Sequence, residues 1–288
     1  MAKISGRLPG RAATRVGAAA ITAALIGTGT SAFAADTGDA PMYGITGVDS
    51  AGTVNYYAPN GEGGLQPRDQ LDAGWLGADA EDVKFVGRVD HNADSLADGR
   101  WQTNAAGVLN YAANDNSDLK KVGHGWGIYN KLVSAGNLGG GEAGDLLGRD
   151  AAGNLYLYLG YGDGTVTQRY KVGGGWNAYT QLAGNGDLTG DGKNDIVAAD
   201  KSGVLWLYKG TGNYKAPFTA RTKVGGGWNA YNNVFAPGDI DLDGTTDLVG
   251  RDAKGALYLY KGTGQAAAPY GTRVLIGTGG WNTYRLVF

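Results

Sequence analysis

The feature that most constrains the fold is an acidic loop, Asp239 to Asp247, followed by an apolar run and an alternating stretch that ends at Tyr260. Its four aspartates lie within nine residues and repel one another unless a cation lies among them. Acids at loop positions one, three, five and nine, with glycine at six, suit a hard cation with oxygen ligands, which favours calcium. An EF-hand would have glutamate at position twelve, but Gly250 stands there and a strand-like run follows. We therefore interpret this segment as a calcium loop between strands.

The same pattern recurs along the chain with a period near fifty residues. Other copies of the loop begin at Asp187, at Asp90 and, with most acids lost, at Asn137. Tryptophan recurs at spacings of 51, 50, 52 and 53 residues, at Trp75, Trp126, Trp176, Trp228 and Trp281. A D-x-x-G turn, with asparagine for aspartate in one copy, starts at Asp49, Asn104, Asp150, Asp200 and Asp252. Both markers count five units, which indicates a repeat architecture.

Each unit is composed of short strands and tight turns. The chain has 53 glycines and 17 tyrosines among its 288 residues, and few long helical patterns. After the loop at Asp187 we predict strands over residues 195–199 and 204–209, then two more before the next acidic loop. Four antiparallel strands per fifty residues are typical of a propeller blade, so the sequence predicts an all-β, five-bladed β-propeller. Strands from the mature N-terminus and from the C-terminus would complete the last blade and close the ring.

The first 34 residues are typical of a secretory signal peptide. A basic leader precedes a small apolar core, and an A-x-A cleavage motif ends at Ala34. We expect removal of residues 1–34, a propeller over residues 35–288 and a secreted, extracellular protein. The mature chain would keep 25 − 4 = 21 basic and 27 acidic residues, a net charge of 21 − 27 = −6, which argues against nucleic-acid partners. No other apolar stretch is long enough to span a membrane.

Two resemblances follow from these motifs. The D-x-D-x-D-G-x-x-D loop between repeated strands resembles the FG-GAP or VCBS family of propeller repeats, which implies loops that bind calcium. The phrase Gly-Gly-Trp-Asn-x-Tyr on a five-unit ring is similar to tachylectin-type lectins, which implies blades that bind N-acetylated amino sugars. Together the resemblances cover the chain from about Asp36 to Phe288.

Carried over position by position, three loops keep the ligand pattern for Ca²⁺. The expected metal ligands are Asp239, Asp241, Asp243, Thr245 and Asp247; Asp187, Thr189, Asp191, Lys193 and Asp195; and Asp90, Asn92, Asp94 and Asp98. Position seven would contribute its backbone carbonyl, and Ser95 replaces the turn glycine in the loop at Asp90. The loop at Asn137 has Gly139 and Gly141 in ligand positions, so we expect no metal there. Turn formation alone could explain such residues, but three copies in register favour a metal with a structural role.

The repeated tryptophans have two interpretations. An indole face could stack on a sugar while a neighbouring asparagine bonds hydroxyl or acetamido groups. The expected ligand-binding residues are then Trp126, Trp176, Asn177, Tyr179, Trp228, Asn229, Tyr231, Trp281 and Asn282. Alternatively, tryptophan and tyrosine wedge adjacent blades apart and asparagine makes a turn, and we favour this for each tryptophan taken singly. Either way, five similar pockets would lie between blades, and several weak sites on one ring suit a repeating glycan surface.

A catalytic centre is poorly supported. The two histidines, His91 and His124, lie in an acidic loop and in a tryptophan phrase, without a visible nucleophile–base pair. The preferred function is therefore a secreted, non-catalytic glycan-binding propeller with calcium loops. The alternative is a protein-binding adaptor or targeting subunit of a secreted complex, for example with an exported toxin or hydrolase.

Overall fold

Antiparallel strands build five four-stranded sheets in the computed structural model of this chain. The structure describes residues 40–71, 74–78, 80–113, 118–141 and 143–288, all within one compact unit, Ala34–Phe288. The expected signal peptide lies outside the described residues. No helix in the described part of the chain is long and apolar enough to span a membrane. The predicted all-β, five-bladed β-propeller is confirmed.

The strands follow one another in a regular order. They are β1 (Ile45–Asp49), β2 (Val54–Tyr57), β3 (Asp69–Gln70), β4 (Val83–Val89), β5 (Gly99–Asn104), β6 (Leu109–Ala113), β7 (Lys120–Gly123), β8 (Tyr129–Ser134), β9 (Leu146–Asp150), β10 (Leu155–Tyr158), β11 (Gly160–Tyr161), β12 (Thr165–Val166), β13 (Tyr170–Gly173), β14 (Tyr179–Ala183), β15 (Ile196–Asp200), β16 (Leu205–Tyr208), β17 (Thr222–Gly225), β18 (Tyr231–Gly238), β19 (Asp247–Asp252), β20 (Leu257–Tyr260), β21 (Val274–Gly277) and β22 (Tyr284–Val287). Five 3-10 helices span Ala80–Asp82, Trp126–Ile128, Trp176–Ala178, Trp228–Ala230 and Trp281–Thr283.

Four consecutive blades each use strands from one repeat, and the fifth joins the two ends of the chain. Blade 1 is β4–β7, blade 2 is β8, β9, β10 and β13, blade 3 is β14–β17, and blade 4 is β18–β21. Blade 5 has the order β22-β1-β2-β3. Its closing pair is antiparallel, with Gly47 opposite Val287, and Phe288 exchanges backbone hydrogen bonds with Thr46. The predicted closure by N- and C-terminal strands is confirmed.

The D-x-x-G turn within each blade has a clear physical cause. In blade 3, Asp200 Oδ1 accepts hydrogen bonds from the N–H groups of Ser202 and Val204, at 2.9 and 3.0 Å. Gly203 adopts φ +82°, and a Cβ there would lie 2.6 Å from Asn229 Oδ1. Only glycine avoids both the left-handed strain and this collision. The turn therefore fixes β15 against β16 and leaves room for the next 3-10 helix.

The hydrophobic core consists of five clusters, one at each interface between neighbouring blades. Between blades 3 and 4, for example, Leu205 and Leu207 of β16 pack with Trp228 and Tyr231. The intervening residue Trp206 is half-buried, as expected for side chains that alternate along a strand. Five interfaces for five blades mean that the ring is closed and no blade has a free face.

Arginine side chains also connect neighbouring blades. Arg251 of blade 4 donates to the carbonyl oxygens of Trp281 and Tyr284, at 3.0 and 3.1 Å, and Arg149 of blade 2 makes the same contacts with blade 3. Arg285 of blade 5 reaches the carbonyl oxygens of Val83 and Ala80 next to blade 1. Each guanidinium thus links its blade to backbone carbonyls at the start of the next inner strand.

Residues 40–43 cover one end of the central channel. Pro41 accepts a backbone hydrogen bond from Asp239 of the blade 4 loop, at 2.6 Å, and Met42 donates one to Ser95 of the blade 1 loop, at 2.9 Å. Pro41 also lies against Gly186 of the blade 3 loop. Two adjacent residues can reach the loops of three blades only near the ring axis. The segment therefore closes the channel at the end where the acidic loops lie.

Candidate metal loops and inter-blade clefts

The aspartate at the ninth loop position has the same surroundings in three blades. Asp145, Asp195 and Asp247 are fully buried. In each, Oδ2 accepts a hydrogen bond from the backbone of the second loop residue, and Oδ1 accepts one from a glycine that follows the third strand. Burial raises the pKa of Asp145 and Asp195 to about 6 and that of Asp247 to about 7. Because Asp145 belongs to the loop in which we expect no metal, this position holds the blade together independently of any ion.

The first loop position organises the turn. Asp90, Asp187 and Asp239 accept hydrogen bonds from backbone N–H groups of their own loops, including that of the residue at position six, at 2.8, 2.6 and 2.8 Å. That sixth residue is left-handed in every case: Gly192 has φ +77°, Gly244 +89° and Ser95 +70°. These aspartates therefore stabilise the turns of their loops through hydrogen bonds, whether or not a cation also binds.

The loop over residues 239–247 brings three carboxylates together. Carboxylate oxygens of Asp239, Asp241 and Asp247 lie within 4.8 Å of one another. Asp241 Oδ1 is buried and has no hydrogen-bond partner among the described residues. Asp243 lies outside this group, because its Oδ1 accepts hydrogen bonds from the N–H and the hydroxyl of Thr245. Three converging oxygens with one unsatisfied lone pair fit the oxygen preference of calcium.

The other two loops are less converged. In the described residues, no group of three carboxylates comes together around Asp187 or Asp90 as it does at Asp239. Thr189 donates its hydroxyl to Asp187 Oδ1 at 3.4 Å, and Asn92 directs its amide N–H₂ towards Asp94 and Asp98. Donor groups therefore occupy places where a cation would need oxygen atoms. The ligand sets proposed for these two loops remain predictions, as do the carbonyl ligands at Thr245 and Lys193.

A lysine accompanies the acidic loops of blades 3 and 4. Lys261 Nζ lies 2.8 Å from Asp241 Oδ2, and Lys209 Nζ lies 3.0 Å from Asp191 Oδ2. Both lysines directly follow the third strand of their blade. Blade 2 has Leu159 there, and Leu159 packs where a side chain on Gly139 would stand. In blades 2 to 4, acids and lysine thus occur together, and leucine and glycine replace them together, whereas the acidic loop of blade 1 has no lysine after its third strand. This difference is visible in the sequence, where lysine follows Tyr208 and Tyr260 but leucine follows Tyr158. Our motif analysis missed it.

The repeated tryptophans lie between blades. Trp126, Trp176, Trp228 and Trp281 are only 5–6% exposed. Their rings lie 4.4–4.8 Å from the rings of the tyrosines that end the third strand of the following blade, Tyr158, Tyr208, Tyr260 and Tyr57. Tyr179 and Tyr231, expected to contact a ligand, are also buried and bond these tyrosines through their hydroxyls. The indole faces are therefore occupied, and the wedge interpretation describes their packing.

One edge of each indole stays accessible. Its N–H has no hydrogen-bond partner among the described residues and is not buried. Glycine lies beside it: a Cβ on Gly123 or Gly173 would come within 3.5 or 3.8 Å of the indole nitrogen. Asn177, Asn229 and Asn282 are exposed next to the indole. Asn177 and Asn282 use their N–H₂ groups on the carbonyls of the preceding turn, at 3.1 and 2.9 Å. The amide oxygen of Asn177 has no hydrogen-bond partner among the described residues, whereas that of Asn282 accepts a hydrogen bond from Asn232 at 3.4 Å.

An arginine borders three of these clefts and was missed from the sequence. Arg221 and Arg273 donate to the hydroxyls of Tyr179 and Tyr231. Their guanidinium groups, and that of Arg169, lie 4.1–4.6 Å from the aromatic rings of Trp206, Tyr258 and Tyr156. The three arginines are exposed and recur just before the outer strand of blades 2, 3 and 4. Their equal spacing in the sequence could have identified these arginines as part of the repeat.

The fifth interface differs from the other four. Between blades 5 and 1, Val83 occupies the position of the tyrosine that begins the inner strand elsewhere. Trp75 instead lies under Arg100, whose guanidinium carbon is 4.0 Å from the ring centroid. The ring therefore has four similar clefts, not the five that tryptophan spacing predicted.

Neither histidine forms a nucleophile–base pair with another side chain in the described residues. His91 is buried against Trp101 and Tyr111, with ring centroids 5.6 Å apart in both pairs, and neither of its ring nitrogens has a hydrogen-bond partner there. Burial lowers the pKa of His91. His124 is exposed in the loop before Trp126. A packed, neutral His91 fits a role in the core.

The segment that carries the two best-defined acidic loops also matches a known family. Residues 187–250 match the model described as the FG-GAP-like repeat. This segment is similar to the FG-GAP-like repeat. It begins at the first aspartate of the blade 3 loop, passes through β15, β16, β17 and β18, and ends in β19 after the blade 4 loop. The match agrees with the predicted resemblance and covers the part of the ring where acids and lysines occur together.

Several solved structures are similar to this chain. Human WBSCR16 is 12% identical with a TM-score of 0.36, over 82% of this chain and 66% of that one. The BP39L lectin from Burkholderia pseudomallei is 14% identical with a TM-score of 0.45, over 83% and 71%. A mutant of AofleA from Arthrobotrys oligospora is 11% identical with a TM-score of 0.46, over 79% and 70%. No curated protein matches the sequence. At these identities and TM-scores, the likenesses carry no argument about ligands.

Proposed function

We propose that this protein is a secreted, non-catalytic carbohydrate-binding propeller, stabilised by calcium, that recognises glycans of a cell surface or cell wall. The observation that supports this most is the fourfold repetition of one cleft, in which an unpaired indole N–H reaches solvent between two blades. A polar edge that recurs at fixed angles on a rigid ring suits a ligand that is itself repeated.

The chemistry of the cleft favours a sugar that carries both donors and acceptors. The indole N–H of Trp176 can donate to a carbonyl or hydroxyl oxygen, and the free oxygen of Asn177 can accept from a hydroxyl or amide N–H. An N-acetylated amino sugar offers both groups on adjacent carbons. Because the indole faces are buried, affinity at one cleft would rest on hydrogen bonds and be low. Several clefts that bind one glycan surface would raise it through avidity.

Calcium would act as a structural ion in this proposal. Asp239, Asp241 and Asp247 would hold it, and its charge would keep the three carboxylates ionised in a partly buried loop. Lys261 would have to leave Asp241 for the ion to use both oxygens of that carboxylate. The ion would thus fix the loop that joins the two inner strands of blade 4 and supports Pro41 at the end of the channel.

A glycan array with the purified protein, in calcium and in chelator, tests the proposal. We expect binding to glycans that contain N-acetylated amino sugars. The triple variant Asn177→Ala, Asn229→Ala, Asn282→Ala should weaken it at least tenfold, because three clefts lose an acceptor. Asn110→Ala, at a partly exposed asparagine on β6, is the matched control and should bind normally. If the protein binds no glycan on the array and captures a secreted protein in stoichiometric amount, the adaptor function is correct and the proposal is wrong.

A further inference from the structure

The central channel contains a cavity that neither the acidic loops nor the clefts explain. It has a volume of about 640 Å³ and is lined by residues of the inner strands β4, β8, β14, β18 and β22. Tyr43 and Gly44 line it next to the segment that covers one end, so it is a blind pocket that opens at the end where the inner strands begin. Its volume lies in the range of small-molecule sites.

The charged side chains that line this pocket are all basic among the described residues. They are two lysines and three arginines: Lys84, Arg88, Lys131, Arg251 and Arg285. The backbone oxygen of Phe288 there is bonded to the N–H of Thr46. This is unexpected in a chain whose acids outnumber its lysines and arginines by 27 to 25. A concave site with low-dielectric walls and one sign of charge concentrates ions of the opposite sign.

The arginine side chains of the pocket already form hydrogen bonds with other parts of the protein. Arg251 and Arg285 donate to backbone carbonyls of the next blade, and Arg88 donates to the carbonyl of Tyr43 and the hydroxyl of Thr46, at 2.7 and 3.0 Å. Lys131 differs, because it has no hydrogen bond or ion pair among the described residues. It is nevertheless partly buried within the channel wall. Lys84 also lacks such a partner but is exposed, so Lys131 is the partly buried cation of the pocket that is free to bind a ligand.

The position of Lys131 costs stability. It lies directly opposite Arg149 in the pairing of β8 with β9, and like charges at opposed positions repel. Burial and Arg149 lower the pKa of Lys131 to about 8. The equivalent residues of the other blades are uncharged, namely Gln181, Asn233, Leu286 and Phe85. Four blades thus have an uncharged residue at this position, and blade 2 alone has a cation there.

We propose that the channel binds a small organic carboxylate, with its charged group on Lys131 Nζ and its body against the apolar side chains of Phe85 and Leu286. One partly buried, uncommitted ammonium balances one negative charge, which favours a monocarboxylate over a dianionic phosphate. The mixed walls favour an organic body over a bare inorganic ion. Lys84, exposed at the open end, would attract such anions towards the pocket. Trp126 of the cleft between blades 1 and 2 also lines the pocket, whereas Trp176, Trp228 and Trp281 of the other three clefts do not.

Isothermal titration calorimetry of the purified protein at low salt tests the proposal. The probes are glucuronate and benzoate, which distinguish a sugar acid from an aromatic acid, with glucose and inorganic phosphate as references. We expect at least one of the two carboxylates to bind, glucose to give no signal and phosphate to bind more weakly. Lys131→Gln, which copies the residue of blade 3, should weaken carboxylate binding at least tenfold. Lys121→Gln, which removes an exposed lysine of β7, should leave it unchanged.

Thermal unfolding separates this role from a merely structural lysine. Lys131→Gln relieves the repulsion with Arg149, so it should unfold at the same or a higher temperature while binding is lost. The asparagine variant of the clefts should bind the carboxylate normally, so failure of glycan recognition would leave this result unaffected. Absence of carboxylate binding in the wild type, equal binding by Lys131→Gln, or phosphate binding as tight as that of the better carboxylate would overturn the proposal.

Discussion

Among single residues, the buried aspartate at the ninth loop position has the clearest structural role. Asp145 accepts hydrogen bonds from three backbone N–H groups, those of Leu138, Gly139 and Gly160, at 2.7–3.0 Å. Asp145→Asn replaces one accepting oxygen with a donor and leaves buried N–H groups without partners. We expect a loss of about 2–3 kcal/mol in the free energy of unfolding at pH 7, measured by urea denaturation. The exposed control Asp118→Asn should change it little, and equal stability of both variants would contradict this role.

The raised pKa values of these aspartates predict how stability changes with pH. In chelator, Asp145 and Asp195 bind protons up to about pH 6 in the folded state, because burial disfavours their charge, but only up to about pH 4 when unfolded. Their contribution is therefore fully present below pH 4 and is lost as pH rises through 6. Scanning calorimetry should show a falling unfolding temperature between about pH 4 and pH 6. A rise across this window would contradict the prediction.

Ser95 is a second residue with a measurable consequence. It occupies the left-handed position that glycine holds in the loops of blades 3 and 4. Its N–H and carbonyl make backbone contacts that a glycine would keep. Ser95→Gly should therefore raise the free energy of unfolding by about 1 kcal/mol, because the left-handed strain of a side chain is removed. Ala106→Gly, in a turn where φ is not positive, should lower it. A destabilised Ser95→Gly variant would be inconsistent with strain at this position.

At the scale of the loop and its neighbouring strand, Lys261 is expected to compete with calcium. Its ammonium lies 2.8 Å from Asp241, the residue whose other oxygen lacks a partner. Lys261→Met removes this competitor and should tighten calcium binding about two- to fivefold, the range expected for a partly exposed ion pair. Titration calorimetry with calcium measures the change, and Lys254→Met in the nearby turn is the control. Unchanged or weaker calcium binding would show that the lysine does not occupy the ion's place.

The strands were largely predictable, whereas the partners of their side chains were not. Residues 195–199 and 204–209 were expected as strands, and β15 and β16 occupy Ile196–Asp200 and Leu205–Tyr208. Alternation of apolar and polar residues and glycine turns are local features of the sequence. They can therefore be recognised without knowing how the strands pack. The burial of Trp176 and the pairing of Lys261 depend on which neighbouring element fills the space, and no local pattern records that. Trp75 is a further example. It has the same spacing as the other repeated tryptophans, but its ring lies against Arg100 instead of a tyrosine.

For the whole molecule, closure of the ring depends on the last strand. Removal of residues 278–288 takes away β22 and Trp281, exposes the edge of β1 and opens the interface between blades 4 and 5. We expect the shortened chain to unfold at least about 10 °C lower. A synthetic peptide of residues 278–288 should restore the unfolding temperature, whereas a scrambled peptide should not. Full stability without the peptide would mean that the ring does not depend on this closure.

The buried ninth aspartate also bears on how such rings evolve. Because Asp145 keeps its backbone contacts in a loop that has glycine at the third and fifth positions, substitutions that abolish ion binding need not harm the blade. If the loops bind calcium as proposed, each loop could lose its ion without disturbing its blade, and the number of ions per molecule would not follow from the number of blades.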